Sequence, residues 1–179
     1  IEHFRGETLI TPVLTGGMPP DDGWSPPDAM NLADVKGQNH AKRALEVAAA
    51  GFHNLLFNGP PGSGKTPLAR LISGVTQASF QSVSAVTSGV ADLRRIVAEA
   101  RDRLGMHQEK TILFVDEIHR FNKSQQDVIL PHVEDGTVTF IGATTENPSF
   151  EVNAPLLSRC RVFALQLLTP EEVEKIVQR

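Results

Sequence analysis

The chain has 179 residues, of which 40% are hydrophobic and 21% are charged. This composition is typical of one globular domain and excludes a collagen-like or fully disordered chain. The formal charge of −4 excludes nucleic-acid binding through overall charge, so any such contact would use a local basic strip or an assembled ring. No run of about 18 apolar residues occurs, which excludes a membrane-spanning helix and leaves no membrane partner to expect. A single cysteine excludes an intramolecular disulfide and favours a reducing compartment.

The first 30 residues differ from the rest in composition. They contain five prolines and four glycines and show almost no apolar periodicity. We predict that residues 1–30 form a linker or arm, that Trp24 anchors this arm on a groove, and that one folded core covers residues 31–168. The chain begins with Ile1 and has no basic-then-apolar leader, so we interpret it as an internal segment of a longer protein.

Strands and helices alternate along the rest of the chain. Helix formers and capping residues predict helices at 38–50, from near 64 to about 73, at 90–104 and at 123–134, and a further helix that begins at Thr169. Apolar runs predict strands at 54–58, 79–86, 111–115, 137–143 and 161–167. We expect Gly51 and Gly105 to end two helices, Ser88 to cap one, and Pro131 to bend one. The alternation predicts an α/β fold with a five-stranded parallel sheet flanked by helices.

The pattern G-x-x-x-x-G-K-[ST] lies between the first of these strands and the helix after it. Its residues are Gly59, Pro60, Pro61, Gly62, Ser63, Gly64, Lys65 and Thr66. Glycines let successive backbone N–H groups turn inward around phosphates, and the helix N-terminus adds its partial positive charge. The pattern therefore predicts a P-loop that binds ATP or ADP, with Lys65 on the β- and γ-phosphates and the Thr66 hydroxyl on Mg²⁺.

Pro67 departs from the usual chemistry of such a loop. A proline is tolerated in the first turn of a helix because the N–H at this point has no intrahelical partner. In P-loop proteins, however, the amide just after the Ser/Thr usually faces the α-phosphate, and Pro67 has no N–H to donate. We expect nucleotide binding to survive with one contact fewer.

Two adjacent carboxylates, Asp116 and Glu117, follow the third strand. We expect both to reach the carboxyl edge of the sheet beside the P-loop. Asp116 would then hold the hydration shell of Mg²⁺, and Glu117 would orient and activate the attacking water. An acidic pair that only caps a helix is the plainer alternative. Residues 116–119 also match the D-E-x-H pattern of superfamily 2 helicases. That interpretation requires later helicase motifs and a second motor lobe, and neither is present in these 179 residues.

The order of these motifs resembles that of the AAA+ ATPases, in the neighbourhood of the clamp loaders and RuvB. Two further motifs extend the resemblance, Ile141-Gly-Ala-Thr-Thr145 and Leu157-Ser-Arg-Cys-Arg161. The resemblance implies ATP hydrolysis in a ring-type homo-oligomer, the strand order 5-1-4-3-2, and a helical lid of which only the start, residues 169–179, falls within this chain. It also implies that Thr145 senses the γ-phosphate and that Arg159 reaches the γ-phosphate of a neighbouring subunit. Thr144 stays an alternative sensor, and a surface salt bridge stays the alternative role for Arg159.

Longer runs narrow the resemblance to two families. Residues from about 68 to 179 resemble the RarA/MgsA family of replication-associated recombination ATPases, through the runs at 84–90, 113–127 (LFVDEIHRFNKSQQD), 131–136 and 140–150. Residues from about 1 to 66 resemble the ComM/YifB magnesium-chelatase-like family, through the runs at 1–7, 32–38 and 41–51, so the two resemblances meet at the P-loop.

Both families imply an ATPase that acts on DNA at stalled forks or recombination intermediates. The implied partner is forked, gapped or branched DNA, and the implied location is the bacterial cytoplasm, in association with the nucleoid. Two alternatives stay open: an ATPase subunit of a metal chelatase, and a nucleotide-binding module that hydrolyses almost nothing without its lid.

Three weaker signals each have a plain interpretation. Arg120–Lys123 combines an aromatic side chain with two cations, and it either contacts DNA by stacking and charge or forms a solvated loop with Phe121 buried. The six histidines show no spacing typical of zinc ligands. We expect Cys160 to be a buried small residue rather than a nucleophile.

Overall fold

A computed structural model describes residues 50–167 together with Leu45 and Ala48. Outside the described residues lie the predicted arm at 1–30 with Trp24, most of the helix predicted at 38–50, and the helix predicted from Thr169. The described part of the first helix runs through Gly51, the residue predicted to end it. Phe52 takes the left-handed conformation instead, with a φ of 51°, and Lys110 Nζ lies 3.8 Å from the centre of its ring.

Residues 50–167 contain five strands and five further helices. In chain order these are β1 (Leu55–Asn58), α1 (Lys65–Thr76), β2 (Ser79–Ser84), α2 (Val90–His107), β3 (Thr111–Asp116), α3 (Lys123–Glu134), β4 (Val138–Thr144), α4 (Pro148–Glu151), α5 (Ala154–Leu157) and β5 (Arg161–Ala164). A 3₁₀ turn, Ile118–Arg120, follows β3. All five predicted strands are confirmed, although β2 and β5 end earlier than predicted. The short helices α4 and α5 were not predicted.

Two predictions about helix α2, its N-cap and its last residue, are wrong. Gly89, rather than Ser88, is its N-cap, because the Gly89 N–H donates to the Asp92 carboxylate at 2.9 Å. The helix also continues past Gly105 to His107 and ends at Gln108, which has a φ of 56°. A glycine inside a helix costs only about 1 kcal/mol relative to alanine, and the buried face earlier in the helix offsets that cost. This face consists of Leu93, Ile96, Val97 and Ala100.

Helix α3 has the predicted bounds. Its N-cap, Asn122, accepts from the Gln125 N–H, and the Gln125 side chain accepts from the Asn122 N–H, both at 2.9 Å. Pro131 lies inside the helix, and the bend expected there stays a prediction. None of the helices in the described part of the chain is long and apolar enough to cross a membrane.

The strands form one parallel sheet in the order β2-β3-β4-β1-β5. Viewed from the other side this is 5-1-4-3-2, the order that the family resemblance implied. β1 is central: Leu55 is in register with Ile141 of β4 and with Arg161 of β5. Because all five strands are parallel, their carboxyl ends meet at one edge of the sheet.

The two faces of the sheet are covered by different helices. On one face, side chains of the sheet pack against α1 and against Leu45 and Ala48; they are Leu55, Phe57, Ile112, Phe114 and Ile141. On the other face, side chains of the sheet pack against α2 and α3; they are Leu56, Val83, Leu113, Val115 and Phe140. β3 alternates between the two faces and is buried throughout from Thr111 to Val115, as its continuous apolar sequence predicted.

A substitution at Gly142 in β4 tests this packing. A Cβ added there would lie 2.6 Å from Leu56 Cδ1 and 2.9 Å from the Phe140 ring. Both neighbours are fully buried, so they have little room to move. We expect Gly142→Ala to lower the free energy of unfolding by about 1–3 kcal/mol through overpacking. Urea denaturation measures the change.

Gly105→Ala is the matched control. The Gly105 Cβ position has no neighbour within 4 Å, and alanine is the better helix former, so this variant should gain up to about 1 kcal/mol. Equal effects of the two substitutions would contradict the packing described for β4.

Candidate active site

A cleft of about 400 Å³ lies at the carboxyl edge of the sheet. It is lined by Pro61, Gly62, Gly64, Lys65, Thr66, Pro67, Asp116, Glu117, Thr144 and Thr145. The fold therefore brings together residues that the sequence pointed to in three distant segments: the loop after β1, the carboxylates after β3 and the threonines at the end of β4. Arg159 is not among the lining residues.

The loop after β1 depends on its glycines in two ways. Gly62 and Gly64 have φ angles of 78° and 84°, which side chains rarely allow. Gly59 lies close to the neighbouring strand segment, where a Cβ would be 2.7 Å from the Leu165 carbonyl oxygen. The Gly59 N–H donates to the Thr144 carbonyl at 3.1 Å, so the loop starts at a fixed point of the sheet.

Lys65 folds back onto this loop. Its Nζ donates to the carbonyl oxygens of Gly59, at 2.7 Å, and of Pro60, at 2.9 Å. Burial lowers the pKa of Lys65, while the nearby charges of Asp116 and Glu117 act in the opposite direction. The ammonium group is thus held at the mouth of the loop by neutral acceptors that a phosphate can replace.

Helix α1 begins at the cleft without a side-chain cap. Its N-cap is Gly64, which has no side chain, and the Leu68 N–H makes the bond back to the Gly64 carbonyl at 3.1 Å. The N–H groups of Lys65 and Thr66 precede that bond and belong to the helix end that favours anions. Pro67 is exposed, lines the cleft and contributes no N–H.

The chain turns sharply between Asp116 and Glu117. Glu117 has a φ of 52°, an uncommon conformation for a residue with a side chain. Asp116 Oδ1 accepts from the Glu117 N–H at 3.0 Å, and the Glu117 carbonyl accepts from the Arg120 N–H at 2.8 Å. These bonds hold the left-handed turn and present both carboxylates to the cleft.

The cleft offers the oxygen ligands that Mg²⁺ prefers. Thr66, which has a hydroxyl, and Asp116, which has a carboxylate, both line it. This donor set fits a magnesium ion that takes its remaining ligands from phosphate and water. Over residues 50–167, no three His, Cys, Asp or Glu side chains are grouped as a metal site.

The two threonines after β4 have different surroundings. Thr144 is buried; its Oγ1 lies 3.1 Å from His119 Nδ1 and accepts from the Glu146 N–H at 3.0 Å. Thr145 is half-buried, and both threonines line the cleft. Thr144 links the turn after β3 to the end of β4 through His119, and Thr145 is the more exposed of the two. The γ-phosphate contact of Thr145 stays a prediction. Sequence reasoning missed the His119 contact, for which the only signal was the D-E-x-H pattern of residues 116–119.

Arg159 lies at the opposite, amino edge of the sheet. Its carbonyl accepts from Asn54 Nδ2 at 3.4 Å, just before β1 begins, whereas the P-loop follows the end of β1. From Asn54 to Gly59 the strand spans about 16 Å. An arginine side chain does not cover that distance, so Arg159 cannot contact the cleft of its own chain. Its guanidinium pairs with Glu134, as the plainer interpretation expected.

The burial of Phe121 and of Cys160 decides between the alternative interpretations of these two residues. Phe121 is only 3% exposed and packs in the core, so stacking of this ring on a base, one of its two interpretations, is wrong. Arg120 and Lys123 are exposed. Cys160 is half-buried against the core, and burial raises the pKa of its thiol to about 12, which keeps it protonated at neutral pH.

Known proteins match this chain in sequence and in structure. Over 152 residues, 82% of this chain, it is 51% identical to replication-associated recombination protein A of Escherichia coli K12. Over 126 residues, 70% of the chain, it is 50% identical to the ATPase WRNIP1 of Dictyostelium discoideum. The Thermotoga maritima RuvB Holliday junction branch migration motor superposes with a TM-score of 0.67 at 30% identity, over 83% of this chain and 51% of RuvB. The chain belongs to the AAA+ ATPases.

This AAA+ chain spans 34% of the length of the E. coli relative and 14% of the length of the D. discoideum relative. Residues 31–103 also match the family model of magnesium chelatase, subunit ChlI. The two likenesses overlap rather than meet. Residues 68–179 make up less than two thirds of the chain, so a match over 82% must begin before residue 68, and the chelatase match continues past the P-loop.

Pro67 generates a test of the loop geometry. We expect Pro67→Thr to tighten ADP binding by about tenfold, because it restores an N–H where the α-phosphate should lie and charge-assisted hydrogen bonds are strong. Pro67→Ala restores the same N–H without a hydroxyl and should behave alike. Without nucleotide, either variant should be less stable by about 0.4–1 kcal/mol, since proline restricts the unfolded chain.

Calorimetric titration with ADP measures the affinity of all three proteins. Unchanged or weaker binding in both variants would show that residue 67 does not face the α-phosphate.

Proposed function

We propose that this chain is the ATP-binding and ATP-hydrolysing domain of a DNA-acting ATPase in replication-fork maintenance, recombination or repair. The observation that carries the proposal is the cleft itself. It joins a phosphate-type loop and a lysine to two carboxylates and a hydroxyl at one sheet edge. That combination serves phosphoryl transfer to water, because a nucleotide held by the loop would extend its γ-phosphate toward the carboxylates.

We propose that the loop after β1 binds the phosphates of the nucleotide. The backbone N–H groups of residues 62–66, which follow the two prolines, surround the phosphates. Lys65 exchanges its two carbonyl acceptors for β- and γ-phosphate oxygens. Thr66 and Asp116 hold Mg²⁺, which would neutralise charge on the phosphates when it is bound.

Glu117 and Thr145 carry out the hydrolysis step in this proposal. Glu117 orients a water molecule and accepts its proton, since its backbone turn brings the carboxylate to the cleft. Thr145 contacts the γ-phosphate or the attacking water through its hydroxyl.

Arg159 completes the site of a neighbouring subunit. It lies at the sheet edge away from its own cleft, so its fork of donors can serve a γ-phosphate only in another chain. This geometry supports a head-to-tail homo-oligomer, which closes as a ring when the rotation between subunits permits.

The proposal that the protein acts on DNA is supported by its relatives. One is described as a replication-associated recombination protein, and the RuvB structure as a motor of Holliday junction branch migration. Forked, gapped or branched DNA is the substrate class that we propose for this protein, because a Holliday junction is a branched DNA. The proposed location is the bacterial cytoplasm, near the nucleoid. The net charge of −4 requires that the contact be made by a local basic strip or by the assembled ring.

The magnesium-chelatase match over residues 31–103 supports a second candidate, the ATPase subunit of a metal chelatase. ATP turnover measured with and without forked DNA separates the two. We expect forked DNA to increase turnover, whereas a chelatase subunit should show no such response.

We expect Glu117→Gln to keep ATP binding and to lose turnover by about 10²-fold or more, because the amide has the same shape but cannot accept the proton of water. Lys65→Ala should instead lose binding at micromolar nucleotide. Phosphate release measures turnover, and titration with a fluorescent ATP analogue measures binding.

Parent-like hydrolysis by Glu117→Gln would exclude Glu117 as the base. Parent-like affinity in Lys65→Ala would contradict the nucleotide site. A parent chain that binds ATP without any turnover would instead be a nucleotide-binding module.

A further inference from the structure

The guanidinium of Arg159 lies between the C-terminal ends of two helices. Its Nη1 donates to the Pro155 carbonyl of α5 at 2.7 Å and lies 3.3 Å from Ser158 Oγ. Its Nη2 pairs with Glu134 Oε1, on the last residue of α3. Within the described residues these contacts account for three of the five N–H donors of the guanidinium, and the Nε–H and one Nη2–H are left over.

Glu134 is an unexpected residue at this point of α3. A carboxylate at a helix C-terminus faces the negative end of the helix dipole, and Asp135 adds a second negative charge directly after it. The pair with Arg159 adds little stability in return, because the two side chains are 42% and 40% exposed and water screens them. Stability therefore does not explain the pair.

The orientation of Arg159 explains it better. An arginine side chain has many rotamers, and a free one must lose them when it binds a phosphate. Acceptors on two rigid helix ends remove that freedom before a phosphate arrives. Donors that are already in place stabilise a developing charge without reorganising.

We propose that Glu134 is a positioning residue, which holds the guanidinium of Arg159 so that its remaining N–H donors face the phosphate site of a neighbouring subunit. This inference rests on the proposed action of Arg159 in a neighbouring chain. Glu134 does not reach the cleft of its own chain, since α3 ends at the amino edge of the sheet, where Arg159 lies.

Mixed oligomers test the role of Glu134 apart from the role of Arg159. Glu117→Gln subunits cannot turn over ATP but supply an intact Arg159, and Arg159→Ala subunits have an intact cleft but supply no arginine. A mixture of the two should hydrolyse ATP faster than either variant alone. Glu134→Ala, Glu134→Gln or Glu99→Ala is then added to the Glu117→Gln subunit only, so that the active cleft in the mixture stays unmodified.

With Glu134→Ala in the donor subunit, we expect the restored kcat to fall about tenfold with an unchanged KM for ATP, because misplaced donors weaken only the transition state. Glu134→Gln keeps an acceptor oxygen and should stay within about threefold of the unmodified donor. Glu99→Ala removes the pairs of Glu99 with Arg95 and Arg103, all three on α2, and should change nothing. ADP binding by each donor verifies that it is folded.

Each other outcome has a definite meaning. If the two single variants do not restore turnover when mixed, the action of Arg159 in a neighbouring chain is wrong and the inference falls with it. If they do, but the Glu134→Ala donor restores as much turnover or more, Arg159 works and Glu134 does not position it; an increase would show that Glu134 restrains the arginine. Equal losses in the alanine and glutamine variants would also overturn the inference, because the acceptor oxygen would then not matter.

Discussion

The parallel pairing of β1 between β4 and β5 is the constraint on which the site depends. Asn58, at the end of β1, is in register with Thr144 on one side and Ala164 on the other. The ladder continues one step into the loop, where the Gly59 N–H donates to the Thr144 carbonyl and the Leu165 N–H donates to the Asn58 carbonyl at 2.7 Å. The phosphate loop therefore starts at a fixed position next to the end of β4. The carboxylates that follow β3 lie on the other side of β4, because β3 is its other neighbour in the sheet.

The same pairing fixes the opposite edge of the sheet. Asn54, just before β1, accepts from the Phe140 N–H at 2.8 Å and donates to the Arg159 carbonyl. Its own carbonyl accepts from the Arg161 N–H at 2.9 Å. One short strand thus holds the cleft at one end and the arginine at the other. The proposed head-to-tail assembly would bring the arginine of one chain to the cleft of the next.

Local signals in the sequence were sufficient for the elements and for the loop. The P-loop pattern specifies its own conformation, because Gly62 and Gly64 permit the left-handed backbone that the turn requires. β3 was predicted from its unbroken apolar run, since a strand buried on both faces has no polar alternation. The order of the strands came from the family resemblance, because periodicity does not tell which strands are neighbours.

What the sequence could not predict depends on contacts between distant segments or on competition between local preferences. The pairs His119–Thr144 and Glu134–Arg159 join residues 25 positions apart, and no spacing rule connects them. The left-handed turn at Glu117 is held by the Asp116 side chain against the preference of a residue with a Cβ. α2 passes Gly105 because the packing of its earlier turns outweighs the helix-ending tendency of one glycine.

The proposed mechanism depends most on the carboxyl edge of the sheet being the nucleotide site. A crystal structure of this chain with ADP and Mg²⁺ tests that directly. We expect the β-phosphate to lie inside the loop 59–66 and the metal to lie between Thr66 and Asp116. We also expect Lys65 Nζ to have left the Gly59 and Pro60 carbonyls for phosphate oxygen. A nucleotide bound elsewhere, or bound with Lys65 still on both carbonyls, would contradict it.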